Sequence, residues 1–438
     1  MAPWILLFAF VAQTLASQQL LLTSDQISFA LPLDRSKYHQ HFVQNTSHIF
    51  DPSHAKAELA KIVTKYRRAP DFFGKLHLKP SLDDVSKSDS VSPPVSPVFS
   101  TMKFAQVPLT DFIVGGTDVM YTGPVNIGTP PQVIPMDIDT GSADLWAMAD
   151  CTQCTSTAKQ FDKKASSTYA ESQDNPFSVT YGTGSISAYR ATDIVTLQGL
   201  SIANQSFGAV MKATDDFDDF PAMSGIMGMA FSSIAQSGQP TLFENLMNSG
   251  KTGKTFAVHL ERQKQQGSEL CLGCYNPAKM KGSITWLPVI SQTYWTLALG
   301  GFSVDQKLVS VSGVNAAIDT GTTYIYIPRK LAESFYAQIP ESREATEIGQ
   351  GFFTFPCKST SVIALAFGSN NFAISNEDFN LGPVSSNSSD CVGGILAMGE
   401  GFPDNLAIVG DEFLKNWYSL YDYSNGVRVG FAPSINNI

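Results

Sequence analysis

The sequence predicts a mainly β protein built from two similar β lobes, and three observations carry that prediction. From about Val107 the chain runs in short stretches rich in Val, Ile, Thr and aromatic residues, broken by Gly, Asn and Pro turns, without long helical periodicity. Hydrophobic residues make up 43% of the 438 and charged residues 16%, against about 25% charge in an average soluble protein, which excludes a disordered chain and a charged helical rod. Finally, Ile138-Asp139-Thr140-Gly141-Ser142 recurs as Ile318-Asp319-Thr320-Gly321-Thr322. Each copy follows an apolar approach and is echoed downstream by an apolar pair ending in glycine, Gly228 and Gly410, 89 and 91 residues after the respective Asp. A repeat of this kind implies two structurally related halves.

In chain order, residues 1–16 read as a secretory signal peptide. The apolar run from Trp4 to Ala12 is too short to span a bilayer and small residues follow it to Ala16 and Ser17, although no Lys or Arg precedes it. No other stretch is long enough to cross a membrane and the last five residues offer no hydrophobic anchor, so a secreted, extracellular protein is expected rather than a vacuolar one.

The net charge of −10 sums two opposing parts. Residues 18–106 carry eleven Lys and Arg against eight Asp and Glu, whereas the 332 residues from 107 to 438 carry eighteen against thirty-one. Without a basic footprint in the larger part, nucleic acid is excluded as a partner. Within the basic part, His54 to Arg68 predicts an amphipathic helix with Leu59, Ile62, Val63 and Tyr66 at helical spacing. Ser86 to Ser100, with Pro93, Pro94 and Pro97, has a composition that stays extended and suits proteolytic nicking. Residues 17–103 therefore read as a removable basic pro-segment, the alternative being an N-terminal arm with no inhibitory role. Residues 104–285 then form a lobe with the first Asp, and residues 286–438 a lobe with the second.

The physical reading of the repeat is a strand in each lobe ending in a tight loop that presents an Asp at the cleft between them. Glycine after each Asp-Thr pair lets the two loops approach with no Cβ between them. The Thr140 and Thr320 side chains are then placed to hydrogen-bond across to the opposite loop. Two carboxyls held side by side cannot both ionise cheaply, so one is raised and a proton is shared. One carboxylate can act as base on a water while the protonated partner polarises a carbonyl, which suits peptide-bond hydrolysis without a metal or cofactor. Turn-capping by Asp and Gly alone does not explain the matching contexts.

With these motifs on the page, the chain from about residue 107 onward resembles the pepsin family of secreted aspartic proteases, closest to the fungal members. Tyr181-Gly182-Thr183-Gly184 resembles the family's flap hairpin, and Trp146 the tryptophan that hydrogen-bonds the flap tyrosine. Asn126 to Gln132 resembles the entry to the first catalytic strand, and Asp422 with Val429 to Pro433 the C-terminal strands. The resemblance implies a bilobal pepsin-like acid protease fold with its two lobes related by a pseudo-two-fold axis around an active-site cleft. It implies Asp139 and Asp319 as the dyad, supported by Thr140, Gly141, Ser142, Thr320, Gly321 and Thr322, with Tyr181, Gly182 and Thr183 closing over an extended peptide. It further implies that Phe217, Met223 and Ile226 line the pocket before the scissile bond, and Tyr294 and Ile408 the one after it, plain core packing being the alternative for each. Asp137 replaces an apolar residue of mammalian pepsins and is expected to favour basic substrate side chains. Lys65-Tyr66 resembles the Lys-Tyr pair by which the family's zymogens place an ammonium on the dyad, although it lies farther from the first Asp than in pepsinogens. The implied partners are a peptide or protein substrate preferring hydrophobic residues at the scissile bond, the chain's own pro-segment and pepstatin-like inhibitors, acting on a monomer.

Five of six histidines lie in the first 77 residues, leaving only His259, so a metalloprotease site or a Ser-His or Cys-His machine has too few parts. His259, in a strand-like run, is expected to be structural. The five N-terminal histidines gain charge as pH falls, which is expected to help the pro-segment release. Six cysteines in a secreted chain predict disulfides. The resemblance implies Cys357–Cys391 and places Cys151 and Cys154 in a small loop bridge. Cys271 and Cys274 sit on a predicted strand where positions three apart face opposite ways, so a mutual bridge there is expected to be strained. No metal site is expected. Asn45, Asn204 and Asn387 occupy Asn-x-Ser/Thr sequons. Two other classes stand against the protease reading: a catalytically silent binding or inhibitor protein of pepsin fold, disfavoured by both Asp residues and the flap tyrosine, and a paired-carboxylate glycosidase, disfavoured by the repeat.

Overall fold

The computed structural model describes residues 49–69, 71, 103–151, 154, 159–181, 184–213, 223–399, 402–424 and 426–437. The expected signal peptide, the Ser/Pro-rich stretch, Asn45, Gly182, Thr183, Phe217 and the acidic run 215–219 lie outside them.

The expected basic helix forms as α1 (Pro52–Lys65). It starts two residues before His54 because Asp51 caps it, accepting from Ser53 N at 2.9 Å, with Pro52 in the first turn where its missing N–H is harmless. It ends at Lys65, and Arg67 and Arg68 turn away exposed. Ala55, Ile62 and Tyr66 on its buried face pack against Tyr324, Tyr326, Met398 and Ile408, with Leu59 and Val63 partly buried beside them.

The first half contains β1 (Ala105–Val114), β2 (Thr117–Ile127), β3 (Gln132–Asp139), β4 (Leu145–Met148), β5 (Ala170–Tyr181), β6 (Gly184–Leu197), β7 (Leu200–Ala213) and β8 (Gly225–Gly228). After α2 (Leu242–Asn248), whose Thr241 and Glu244 form a reciprocal capping box, come β9 (Thr255–His259), β10 (Ser268–Leu272) and β11 (Thr285–Pro288). The second half runs through β12 (Ser291–Gln292), β13 (Trp295–Val304), β14 (Lys307–Ile318), β15 (Ile325–Ile327), α3 (Arg329–Tyr336), β16 (Arg343–Glu344), β17 (Phe353–Pro356), β18 (Ile363–Phe367) and β19 (Asn370–Ile374). It closes with α4 (Asn376–Phe379), β20 (Asn380–Pro383), β21 (Asp390–Gly393), β22 (Ile395–Ala397), β23 (Leu406–Val409), α5 (Asp411–Leu414), β24 (Trp417–Asp422) and β25 (Arg428–Pro433).

The sequence repeat is a repeat of topology. In the first half β3, β8, β4 and β7 lie side by side, with β3 parallel to β8, β8 antiparallel to β4 and β4 parallel to β7. In the second half β14, β23, β15 and β22 take the same order with the same senses. The glycine echoes belong to this pattern. Gly228 pairs with Asp139 itself, and Val409, just before Gly410, accepts from Asp319 N at 3.0 Å. The chain therefore has a mainly β architecture built from two similar halves, as the repeat predicts. β24 and β25 return beside β9, and that sheet continues through β10, β1 and β2 into β3.

All six cysteines are paired. Cys357–Cys391 and Cys151–Cys154 form as expected. Cys271–Cys274 also forms, although alternation along a strand argues against that pairing. β10 ends at Leu272, and Gly273 adopts φ +72°, a left-handed turn that swings Cys274 back toward Cys271 instead of leaving it on the opposite face of a continuing strand. His259 is buried between Glu261 and Ser434, and burial pushes its imidazole down to about 4 against the opposing pull of Glu261, so it stays neutral and structural.

Candidate active site

β3 and β14 end side by side, and their terminal loops face each other through paired threonines. Thr140 Oγ1 accepts from Thr320 N at 3.0 Å and donates to Ile318 O at 2.9 Å. Thr320 Oγ1 accepts from Thr140 N at 3.1 Å and donates to Ile138 O at 2.5 Å. Four hydrogen bonds thus tie the threonine after each Asp to the loop of the other. Glycine is required on both sides of the contact: a Cβ at Gly141 would lie 2.4 Å from the Asp319 carboxyl carbon, and one at Gly321 would lie 2.5 Å from Asp139 Oδ1.

Each carboxyl is held by the same local donors. Gly141 N and Ser142 Oγ donate to Asp139 at 2.8 and 2.6 Å. Gly321 N and Thr322 Oγ1 donate to Asp319 at 3.0 and 2.5 Å. Into this pair comes Lys65 from the last turn of α1. Its Nζ lies 2.8 Å from Asp139 Oδ1 and 3.0 and 2.8 Å from the two Asp319 oxygens, with the lysine side chain only 9% exposed. Tyr66 Oη donates to Asp319 Oδ2 at 2.9 Å while its ring lies against Tyr294, centroids 4.7 Å apart. The greater sequence distance from Lys65 to the first Asp therefore does not keep it from the dyad.

The electrostatics are asymmetric. Burial works against the Lys65 charge, but the two carboxylates overcome it and hold the ammonium above the usual lysine range. Burial also works against ionising Asp319, yet the ammonium and its hydrogen bonds hold this carboxyl below the usual carboxylate range. Asp139 ends above that range, since burial and the Asp319 charge together outweigh the pull of Lys65. One low and one raised carboxyl is the arrangement a base and a proton donor need.

The remaining predicted residues divide around this centre. Met223 and Ile226 are buried with Trp146 in one apolar cluster, and Tyr294 and Ile408 are buried in the cluster that packs α1. β5 and β6 pair antiparallel up to Tyr181 opposite Gly184, the hairpin expected of a flap. Asp137 is buried, its Oδ1 finds no hydrogen-bond partner among the described residues, and burial with the nearby Asp139 charge pushes its carboxyl well above the usual range. Asn204 and Asn387 are exposed.

One contact was not anticipated. Glu58, a charged residue on the buried face of α1, places its carboxylate against the chain just beyond the second loop, accepting from Thr323 N at 2.6 Å, Tyr324 N at 3.3 Å and Tyr326 Oη at 2.8 Å. His54 lies 3.2 Å from Thr323 Oγ1 on the same face. The sequence held the signal: Glu58 falls seven residues before Lys65, two helical turns, and so on the same side of the helix.

Comparison with known proteins agrees with this geometry. Residues 120–434 match the family model described as eukaryotic aspartyl protease. The chain is 39% identical over 328 residues to an aspartic protease of Phaffia rhodozyma, covering 73% of this chain and 78% of the relative. It is 33% identical over 353 residues to major aspartyl peptidase 1 of Cryptococcus neoformans var. grubii, covering 75% and 71%. With cathepsin E of Mus musculus it shares 33% identity over 339 residues, covering 74% and 82%.

Proposed function

The chain belongs to the eukaryotic aspartyl proteases, as a pepsin-like aspartic endopeptidase of the fungal type, and from that premise we propose that it is secreted as a zymogen whose own helix α1 plugs the catalytic dyad. The observation that carries this reading is the Lys65 ammonium within 3.0 Å of both Asp139 and Asp319. An ammonium in that position occupies the place of a nucleophilic water, which must likewise touch both carboxyls.

Once α1 is displaced, the two carboxyls share one proton. A water hydrogen-bonded between them gives a proton to the ionised carboxylate as its oxygen attacks the scissile carbonyl, and the protonated carboxyl donates to the carbonyl oxygen. The resulting gem-diol collapses: one of its hydroxyls returns its proton to the carboxylate that gave one up, the C–N bond breaks, the amine nitrogen takes a proton from the other carboxyl, and a carboxylic acid remains with the dyad again sharing one proton. Ser142 and Thr322 hold the outer carboxyl oxygens, so that the inner ones face the water. Tyr181, Gly182 and Thr183 form the flap over the substrate backbone. Phe217, Met223 and Ile226 shape the pocket before the scissile bond, and Tyr294 and Ile408 the one after it, giving a preference for hydrophobic residues there. Extended peptides are the substrates, pepstatin-type compounds the inhibitors, and the monomer the working unit.

Acid triggers release. Asp319 has a depressed pKa in the plugged form, so its contribution to holding α1 is present above the free carboxyl's range and is lost as pH falls through its bound value. Protonation of His54 and the other pro-segment histidines adds positive charge to an arm already basic. Residues 17–103 are then removed. Digestion of casein or haemoglobin from acidic to neutral pH, with Asp319→Asn as control, tests this reading. Acid-dependent digestion that the variant lacks is expected, and digestion by the variant at the wild-type rate would overturn it.

A further inference from the structure

Glu58 marks a site as well as a contact. Its two carboxylate oxygens are divided among three donors, Oε1 taking Thr323 N and Oε2 taking Tyr324 N and Tyr326 Oη. Tyr324 and Tyr326 are fully buried beneath α1, and the surrounding wall, with Phe352, Leu396 and Met398, is apolar. Three donors converging in an apolar setting suit a two-oxygen acceptor bearing charge, since charge-assisted hydrogen bonds gain strength where water is excluded.

These donors belong to the second lobe and not to α1, so they stay when α1 leaves. The Tyr326 hydroxyl and two backbone N–H groups then lose the carboxylate that satisfies them. Leaving such donors unpaired is unfavourable, and whatever binds next is selected for its ability to replace that carboxylate. Position follows from the helix itself. Glu58 and Lys65 are seven residues apart, roughly 10 Å along the axis, and Lys65 marks the dyad. An extended peptide advances about 3.3 Å per residue, so the same distance corresponds to roughly three substrate residues.

We propose that Thr323 N, Tyr324 N and Tyr326 Oη form a carboxylate-binding subsite of the active enzyme, which recognises a Glu side chain about three residues from the scissile bond of the substrate. The proposal rests on the protease reading above and on α1 vacating the cleft. A Gln in the same position offers one acceptor oxygen and turns its NH2 toward the remaining donors, leaving at least one of them unmet.

The test uses the full-length chain after acid activation and a set of peptides in which one Glu, or one Gln, is moved through the positions two to four residues on either side of a fixed cleavage site. The subsite predicts a single position at which kcat/KM for Glu exceeds that for Gln by about tenfold or more, with the ratio growing as pH rises through the ordinary Glu range near 4.3. Tyr326→Phe, which removes one donor and no carbon, should lower that ratio several-fold. Equal rates for Glu and Gln at every position, or a ratio that Tyr326→Phe leaves unaltered, overturns the subsite while leaving the protease reading intact. Failure to cleave any peptide overturns the protease reading and the subsite with it.

Discussion

Thr140 and Thr320 exchange hydrogen bonds across the contact between the two halves, each hydroxyl accepting from the other's backbone N–H at 3.0 to 3.1 Å and donating to the carbonyl that precedes the other's aspartate. The relationship couples two loops 180 residues apart in sequence. Neither carboxyl can shift without its neighbour's support shifting too.

Removing one of these hydroxyls should therefore act on the dyad more than on the fold. Thr320→Val deletes one acceptor and one donor of the four-bond set and leaves two buried backbone groups unmet, at about 1–3 kcal/mol. We expect a fall in kcat of one to two orders of magnitude with KM little altered, measured on a defined peptide. A change confined to KM would show that the pair does not set carboxyl register.

The close approach at Gly141 gives a sharper prediction. An alanine Cβ there would sit 2.4 Å from the Asp319 carboxyl, so the group forced to move is the catalytic carboxyl itself. Gly141→Ala should abolish hydrolysis in a folded protein, checked by circular dichroism beside the activity assay, and retained activity would contradict the geometry.

The Lys65 contact predicts a shifted activation profile. Without the ammonium, two adjacent carboxyls in the plugged form lose their counter-charge, and α1 keeps its apolar face and the contacts of Glu58, His54 and Tyr66. Lys65→Ala should convert to the mature form at higher pH than the wild type, followed on gels across a pH series. An unchanged profile would falsify the plug.

Stability should fall as pH rises. Burial, then the nearby Asp118 charge, pushes Asp111 up to about 9. Burial also raises Glu412, to about 8 even with Lys415 opposing it. Both folded values lie above the unfolded ones near 4, so the stability these groups contribute is full below about pH 4 and is lost as pH rises through 8 to 9. Thermal midpoints should decline from mildly acidic to mildly alkaline pH, and Asp111→Asn should flatten the decline. A midpoint that rises over that span would contradict the assignment.

Much of this was legible before any coordinates. The repeated Asp-Thr-Gly loops, their glycine echoes and the threonine cross-contact all follow from short local patterns that the fold then duplicates. Less legible was what depended on a turn or on a distant partner. Cys274 reaches Cys271 because Gly273 ends the strand, a left-handed turn that alternation along β10 does not reveal. Nothing local marks Glu58, because its partners, the backbone of Thr323 and Tyr324, lie some 265 residues away. Lys65 was readable as a candidate by resemblance alone, since nothing local fixes how far α1 reaches into the cleft.

The central claim is that Asp139 and Asp319 act as one unit on one water. Its most direct test is kcat/KM for a single peptide with Asp139→Asn, Asp319→Asn and the double variant, each stripped of residues 17–103 by an added protease. Each single change should lower hydrolysis by about three to four orders of magnitude, and the double change should add little, because removing either member already dismantles the pair. Single losses that multiply in the double variant, or a single variant that keeps wild-type activity, would contradict the account.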